Sequence, residues 1–576
     1  MGLFATRDID TPVADADPSF VAMRIASAAP CTQHRASDQP PEESFVRLRL
    51  SAPARSLLNR RIRLGLFMSV ALAACRPAGA GEVPADAALT GEARQAGCEA
   101  VDARACVELA IQAMGGRQKL AGIRAVRYQT IGHTAVTEQS YRQQPFVTAY
   151  EHDVLTIDFA NGRLVDASHG TWPESDPGQF ENDQTLVATS AGCVYRGSAG
   201  AADTPCGLAD LEQAADAFAL GPERLLLTAS AAGDLRYAPP RWLRATRHAV
   251  VEFDWHGRRV QVYLNAVNHL PDALQSTRTF QDFWFAWGDV RQRVYFDNWH
   301  LVGGIVLPSN RVEVRNDIAW QSTQVTEVAI DPPLEDSQFA MDAQVAAKAA
   351  QSPGWNRTFS DKARVELAPG ISLYRGSWNA TLVRQDDGVL VIEAPISGSY
   401  MQGLLAKAGA EFPQAPVKAV LSTSDSWPHV AGVREAVAQG LPVVALDLNR
   451  PELDGLVAAP HSMAPDSLQK AARAPRWISA GTGTEIGHGD NRVVLYPLQG
   501  ASTERQYMVY FPARRLLYAS DTLALNPDRS LYDPQLMHEV VQAVERNGLA
   551  VDTVYAMHAA PMAWKDVVAQ VRRATN

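Results

Sequence analysis

The stretch from Lys418 to Asp447, KAVLSTSDSWPHVAGVREAVAQGLPVVALD, limits the fold more than any other part of the chain. Val417–Leu421 is apolar and β-branched and reads as a buried strand. A tight polar loop follows, then a helix through Val433–Gln439, a stop at Gly440 and a second apolar strand, Val443–Leu446. Two strands joined through a helix must run parallel, with a right-handed crossover. At least this part of the chain is therefore α/β.

The flanks extend the pattern. RVELAPGISLYRGSWNATLVRQDDGVLVIEAP reads as successive strands and turns, and RVVLYPL, QYMVYFP, RLLYAS and TVYAM as further strands, with a helix at DPQLMHEVVQAVERNGL. Sheets with helices outside predict a layered α/β sandwich over residues 357–576. Residues 101–335 have a different grammar: a helix interrupted by Gly115-Gly116, then alternating β-branched and aromatic segments such as AVVEFDWHGRRVQVYLNAV, broken by one helical stretch, LADLEQAADAFALGPERLLLTAS. They predict an antiparallel β-rich domain, joined to the second by a linker over 336–356. A chain of 576 residues needs more than one core in any case.

Composition excludes some functions. A hydrophobic fraction of 46% fits globular protein. A formal net charge of −10, with no basic stripe interleaved with aromatics, excludes a sequence-independent nucleic-acid binder. The glycine patterns of phosphate-binding loops and dinucleotide-binding folds are missing, as is a G-x-S-x-G nucleophile elbow.

One segment reads as an address. NRRIRLGLFMSVALAAC places Arg60, Arg61 and Arg63 before a short apolar run and a small-residue cut site, the layout of a secretory signal over 58–75. An uncleaved apolar anchor is the alternative. Residues 1–57 carry no motif and read as a non-structural leader from a start codon assigned too early, and residues 76–100 as a tether. Cys98, Cys106, Cys193 and Cys206 fall into two local pairs without zinc-ribbon spacing, which suits disulfides in an oxidising compartment, although four buried thiols fit the sequence too. The ending Leu72-Ala73-Ala74-Cys75 resembles the lipobox of bacterial lipoproteins. That resemblance implies a lipid anchor at Cys75, a periplasm-facing location in the cell envelope and, because Arg76 rather than Asp follows, the outer membrane.

The second domain resembles the metallo-β-lactamase superfamily along its whole length, through DDGVLVIEAP, the loop STSDSWPH, GTEIGHGDNRVVLYPLQGASTERQYMVYFPARRLLYASDTL and VYAMHAAPMAW. The resemblance implies an αββα sandwich. The family loop H-x-H-x-D-H, a downstream His, a bridging Asp and a final His together hold two zinc ions. Carried across, the first two histidines fall on Ser424 and Ser426, the Asp on Pro428 and the downstream histidine on Ser502; His429, Asp521 and His558 are retained. Hydroxyls replace imidazole poorly around zinc, so one metal position is expected to be empty. His429, Asp521 and His558 remain as a two-histidine, one-carboxylate face suited to a single Zn²⁺ or Fe²⁺. Each also has a structural reading: His429 beginning a helix capped by Ser426 or Asp425, Asp521 as a cap, His558 as a hydrogen-bonded strand end. Asp425, the new carboxylate in the loop, is a candidate fourth ligand or base, or a cap or solvated side chain. Glu504 and Arg505 either line the pocket or form an exposed pair. His461, His488 and His538 match no ligand position.

The opening AIQAMGGRQKLAGIRAVRY and the later HLVGGIVLPSNRVEV resemble LolA-like or LppX-like lipoprotein domains, which implies a curved sheet around an apolar cavity; a packed antiparallel sheet without a cavity fits the pattern equally. Two functions follow. One is a metal-dependent hydrolase acting on an ester, lactone or amide-type bond of a small molecule, with Asp425 or Asp521 handling the proton. The other is a non-catalytic envelope lipoprotein that binds a lipid-like ligand or a protein partner. A standard di-zinc β-lactamase is excluded by the ligands the loop lacks.

Overall fold

The computed structural model describes residues 97–137, 146–171, 181–197, 201–526 and 528–575, all of which belong to one compact unit. The leader, the signal with Cys75 and most of the tether lie outside them. No helix among the described residues is long and apolar enough to cross a membrane.

The N-terminal half is built on a 13-stranded sheet in which every pairing is antiparallel. Its first strand, Ala125–Val136, lies beside its last, Ile318–Ile330, with Val126 opposite Ile330. From that seam the strands meander outward in both directions. The hairpins explain how: Val302 pairs with Ile305 around Gly303 and Gly304, both at positive φ. That two-residue turn has the twist the flanking strands require, and glycine adopts it without steric cost.

Alternation decides which face is covered. Ala249, Val251 and Phe253, and then Val260, Val262 and Leu264, share one apolar cluster with Cys106, Val107, Ala110 and Ile111 of the helix Ala103–Ala113. A second helix, Leu208–Leu220, lays Ala214 and Ala217 on the strands around Tyr128 and Leu155. Cys98 is bonded to Cys106, and Cys193 to Cys206.

The C-terminal half holds two further sheets. In the seven-stranded one, Gly388–Ile392, Val417–Leu421, Pro442–Ala445 and Arg476–Ser479 run parallel, after three antiparallel strands. Val420 pairs with Val443 and Leu421 with Val444, as the crossover in the sequence requires. The six-stranded sheet is antiparallel except between Leu516–Tyr518 and Thr553–Tyr555. Ile371, Leu390 and Leu421 of the first sheet share a core with Val493, Val509 and Tyr555 of the second. The helix Pro534–Arg546 buries Met537, Val540, Val541 and Val544, at helical spacing, on the second sheet. Met401, Leu404 and Val433 of other helices cover the first.

The halves meet through aromatic rings. Trp427, fully buried, is met edge-on by Trp284 at 4.7 Å, Trp287 at 5.2 Å and Phe146 at 6.4 Å between ring centroids. Its indole N–H donates to Glu452 at 2.8 Å. Three of these rings come from the β-rich half, so that half packs directly on the loop carrying His429.

Candidate metal centre

His429, Asp521 and His558 converge from three separate segments: the short helix Trp427–Val430 that follows Val417–Leu421, and the loops after Leu516–Tyr518 and after Thr553–Tyr555. Each contributes one nitrogen or carboxylate oxygen, and these three atoms lie within 4.8 Å of one another. Asp521 sits between the imidazoles, with Oδ2 3.4 Å from His429 Nδ1 and Oδ1 3.0 Å from His558 Nε2. His429 is buried, Asp521 nearly so, and about a third of the His558 side chain (32%) is exposed, so the cluster meets solvent on the His558 side.

The charges follow from these surroundings. Burial, reinforced by His558, lowers His429 to about 4 despite the opposing pull of Asp521, so its imidazole is neutral at neutral pH. Burial opposes ionisation of Asp521, but the two histidines outweigh it and hold the carboxyl below its usual range. Enclosure works against the His558 cation, yet the hydrogen bond and charge of Asp521 raise its pKa above the ordinary value.

Local structure fixes each group. His558 Nδ1 donates to the Ser377 carbonyl at 2.9 Å, which leaves Nε2 facing Asp521. The Ser424 hydroxyl lies 3.1 Å from His429 Nδ1. Ser520, just before Asp521, is held at a φ of +58°, a conformation disfavoured for a residue with a Cβ. Its hydroxyl bonds Thr423 Oγ1 at 2.7 Å, and the Asp521 N–H donates to Gln506 Oε1 at 3.0 Å. Such strain persists only where the surroundings over-determine it. Beneath the loop lies Glu393, also at positive φ, which accepts from the Thr423 hydroxyl and from Tyr518 at 3.1 Å. Burial raises Glu393 to about 8.

The positions read as lost ligands are accounted for individually. Ser424 contacts His429; Ser426 is the N-cap residue of the short helix Trp427–Val430 but makes no side-chain cap bond; Pro428 occupies its first turn. The N–H of Ser502 donates to Glu539 at 3.2 Å. Asp425 is not one of the cluster's members: fully buried, it is bound by the Arg505 guanidinium, which also reaches the Leu448 carbonyl at 3.3 Å. Arg505 is thus buried, whereas Glu504 is exposed, and the two do not form a surface pair. His461 is buried near Asp466, His488 is exposed, and His538 contacts Gln542 on its own helix. Glu393, Ser520, Gln506 and the Ser377 carbonyl escaped the sequence reading. The one signal for Glu393 was a carboxylate at the end of the otherwise apolar VLVIEAP.

The donor set fits a metal. Neutral His429 and ionised Asp521 need no proton displaced, and His558 has its outer nitrogen anchored on a carbonyl, as ligating histidines commonly do. Three candidate donors with a side open to solvent would leave a bound ion a coordination position free for water or another small ligand.

No protein-family model and no curated protein matches the chain. Among solved structures, it is similar to the inverting sec-alkylsulfatase Pisa1 from Pseudomonas sp., at 16% identity over 36% of this chain and 40% of that one, with a TM-score of 0.27. It is similar also to a metallo-β-lactamase from Pontibacter korlensis, at 16% identity over 37% of this chain and 98% of that one, TM-score 0.28. For TMB-1 the figures are 16%, 37%, 98% and 0.27. The chain thus spans less than half of the alkylsulfatase, and each likeness takes in little more than a third of this chain.

Proposed function

We propose that residues 357–576 form a metallo-β-lactamase-like αββα sandwich with a mononuclear centre, and that the protein is a metal-dependent hydrolase. The observation that carries this reading is the convergence of His429, Asp521 and His558 on one point. A divalent cation, Zn²⁺ or Fe²⁺, would supply Lewis acidity there. The chain's own residues do the rest. His429, kept neutral by burial, and Asp521, kept ionised by its two histidines, present lone pairs without competing protons. Asp521 is also the carboxylate placed to handle the proton, and His558 beside it is the member of the cluster that reaches solvent. Asp425 is committed to Arg505, which supports a structural role in holding the loop.

Ser424, Ser426 and Ser502 offer no imidazole, which supports one metal rather than two. The reaction class we assign is hydrolysis of an ester, lactone or amide-type bond in a small molecule. We further propose export as an envelope lipoprotein anchored at Cys75, supported by the LAAC sequence and by two cysteine pairs in disulfide contact.

Elemental analysis of the full chain tests the centre: about one equivalent of metal is expected in the parent and none in a His429→Ala/His558→Ala double variant. Turnover of chromogenic esters and lactones should vanish with the metal in His558→Ala. Hydrolysis that survives in that variant would refute the assignment.

A further inference from the structure

Three of the chain's 13 histidines stand together on one face of the 13-stranded sheet, which makes chance scatter a poor account of them. His152, on the strand Val147–Asp158, lies directly opposite His169, on Arg163–Thr171. His133, on Ala125–Val136, faces Tyr150 and is therefore the diagonal neighbour of His152. One strand further out, Asp183 of Glu181–Thr189 lies opposite His169. Alternation separates this face from the one covered by the helix Leu208–Leu220. Glu151 and Asp153, on either side of His152, are buried there, while His133 and His152 are exposed and the His169 side chain is 44% exposed.

The spacing suits a shared ion. Directly opposed residues of an antiparallel pair hold their Cβ atoms about 4.5–5.5 Å apart and diagonal ones about 7–8 Å, within reach of imidazoles turned toward one another. Their nitrogens do not meet at a point as those of His429 and His558 do with Asp521. Exposed rings turn about two torsions, however, so the register and not the ring placement sets their reach. His169 Nδ1 donates to Asp183 Oδ1 at 2.8 Å, because a carboxylate only accepts, and Nε2 is thus the nitrogen with the lone pair. Ligating histidines are commonly oriented by a carboxylate in this way. The facing histidines do nothing for the sheet itself: two imidazoles make no ion pair, and they repel when both are protonated. The flanking positions on that face, Gln324, Ile131, Val154, Ala167, Thr171 and Thr185, bring no Lys or Arg to compete.

We propose that His152 and His169, with His133 as third donor, bind one late first-row divalent ion on the surface of the β-rich half. Imidazoles suit Cu²⁺, Ni²⁺ and Zn²⁺, and affinity for such donors peaks at Cu²⁺. Asp183 is the positioning residue. The site shares no residue with the candidate centre and stands without the hydrolytic reading.

The test is Cu²⁺ titration of the full chain carrying His429→Ala and His558→Ala, by isothermal calorimetry with glycine as competitor, then electron paramagnetic resonance of the one-equivalent complex. One equivalent should bind, about tenfold or more tighter than Zn²⁺, with hyperfine coupling from at least two imidazole nitrogens. His152→Gln and His169→Gln should each weaken Cu²⁺ at least tenfold, and His133→Gln at least threefold. Asp183→Asn should weaken it about tenfold, with Asp183→Glu recovering most of the loss. The spectrum needs no substitution in the patch, so it decides the matter even if one of these variants fails to fold. In the unsubstituted chain, His152→Gln should remove one equivalent and leave any held by the candidate centre, so the two sites are read separately. Cu²⁺ affinity within twofold of the starting protein in both His152→Gln and His169→Gln would overturn the proposal. So would fewer than two imidazole nitrogens in the spectrum, or no saturable equivalent.

Discussion

Trp284 meets Trp427 edge-on at 4.7 Å across the boundary between the two halves, and Trp427 is two residues from His429. The β-rich half therefore buttresses the loop that carries a candidate ligand. Trp427→Ala should cost about 3–5 kcal/mol, as for other buried aromatics cut to a methyl, and should weaken metal binding although Trp427 is no ligand. Urea denaturation alongside a competitive chelator titration checks both effects. Trp284→Ala, in the other half, should lower metal affinity in the same direction. Full affinity in a folded Trp284→Ala protein would show that the contact does not reach the centre.

His461 lets the acid side of the stability profile be predicted. Burial, with the Arg434 cation near, lowers it from 6.5 to about 4. Between those values the unfolded chain binds the proton and the folded chain does not, so stability falls as pH falls from about 6.5 to about 4. The loss is at most about 3 kcal/mol. His461→Gln should flatten that window. Denaturation midpoints at pH 7 and pH 4.5 for both proteins decide it, and an equal fall in both would assign the loss to other groups.

Glu393 works in the opposite sense. Burial raises it from 4.5 to about 8, so the folded protein keeps the proton well after the unfolded chain has released it. Its contribution is complete below about pH 4.5 and is lost as pH rises toward 8, by at most about 5 kcal/mol. Glu393→Gln keeps an acceptor for Thr423 and Tyr518 and has nothing to ionise. It should match the parent at pH 4.5 and exceed it by a few kcal/mol at pH 8.5 in guanidinium denaturation.

Restoring a lost ligand should fail to restore a metal. Ser424 is 1% exposed and packed against His429, which leaves no room for an imidazole. Ser424→His should lose about 1–3 kcal/mol through overpacking and still hold no second equivalent by elemental analysis. A second equivalent would mean that the loop repacks more readily than its burial implies.

Much of this architecture was readable beforehand, and the reasons for the rest are physical. The crossover at Lys418–Asp447 announces itself through periodicity and a glycine stop, and the parallel pairs Val420–Val443 and Leu421–Val444 follow. His429, Asp521 and His558 were found because their residue types match a known ligand pattern. Glu393 and Ser520 were not, because their part depends on positive φ and on neighbours that only the fold supplies. The Asp425–Arg505 pair joins residues 80 positions apart, and no local pattern announces such a partner. FWFAW, at 283–287, carries no pattern that names its partner, yet it supplies two of the rings against Trp427.

The 13-stranded sheet carries a consequence for how the chain is made. Its central seam joins Ala125–Val136 to Ile318–Ile330, the strands of that sheet farthest apart in sequence. A growing chain emerging at about 5–20 residues per second presents the first of these strands with one side unpaired until nearly the whole β-rich half has followed. That side is an open ladder of backbone donors and acceptors, the kind of edge that invites pairing with another chain. The last strand to be synthesised closes the middle of the sheet rather than its rim, so the β-rich half stays in two pieces until then.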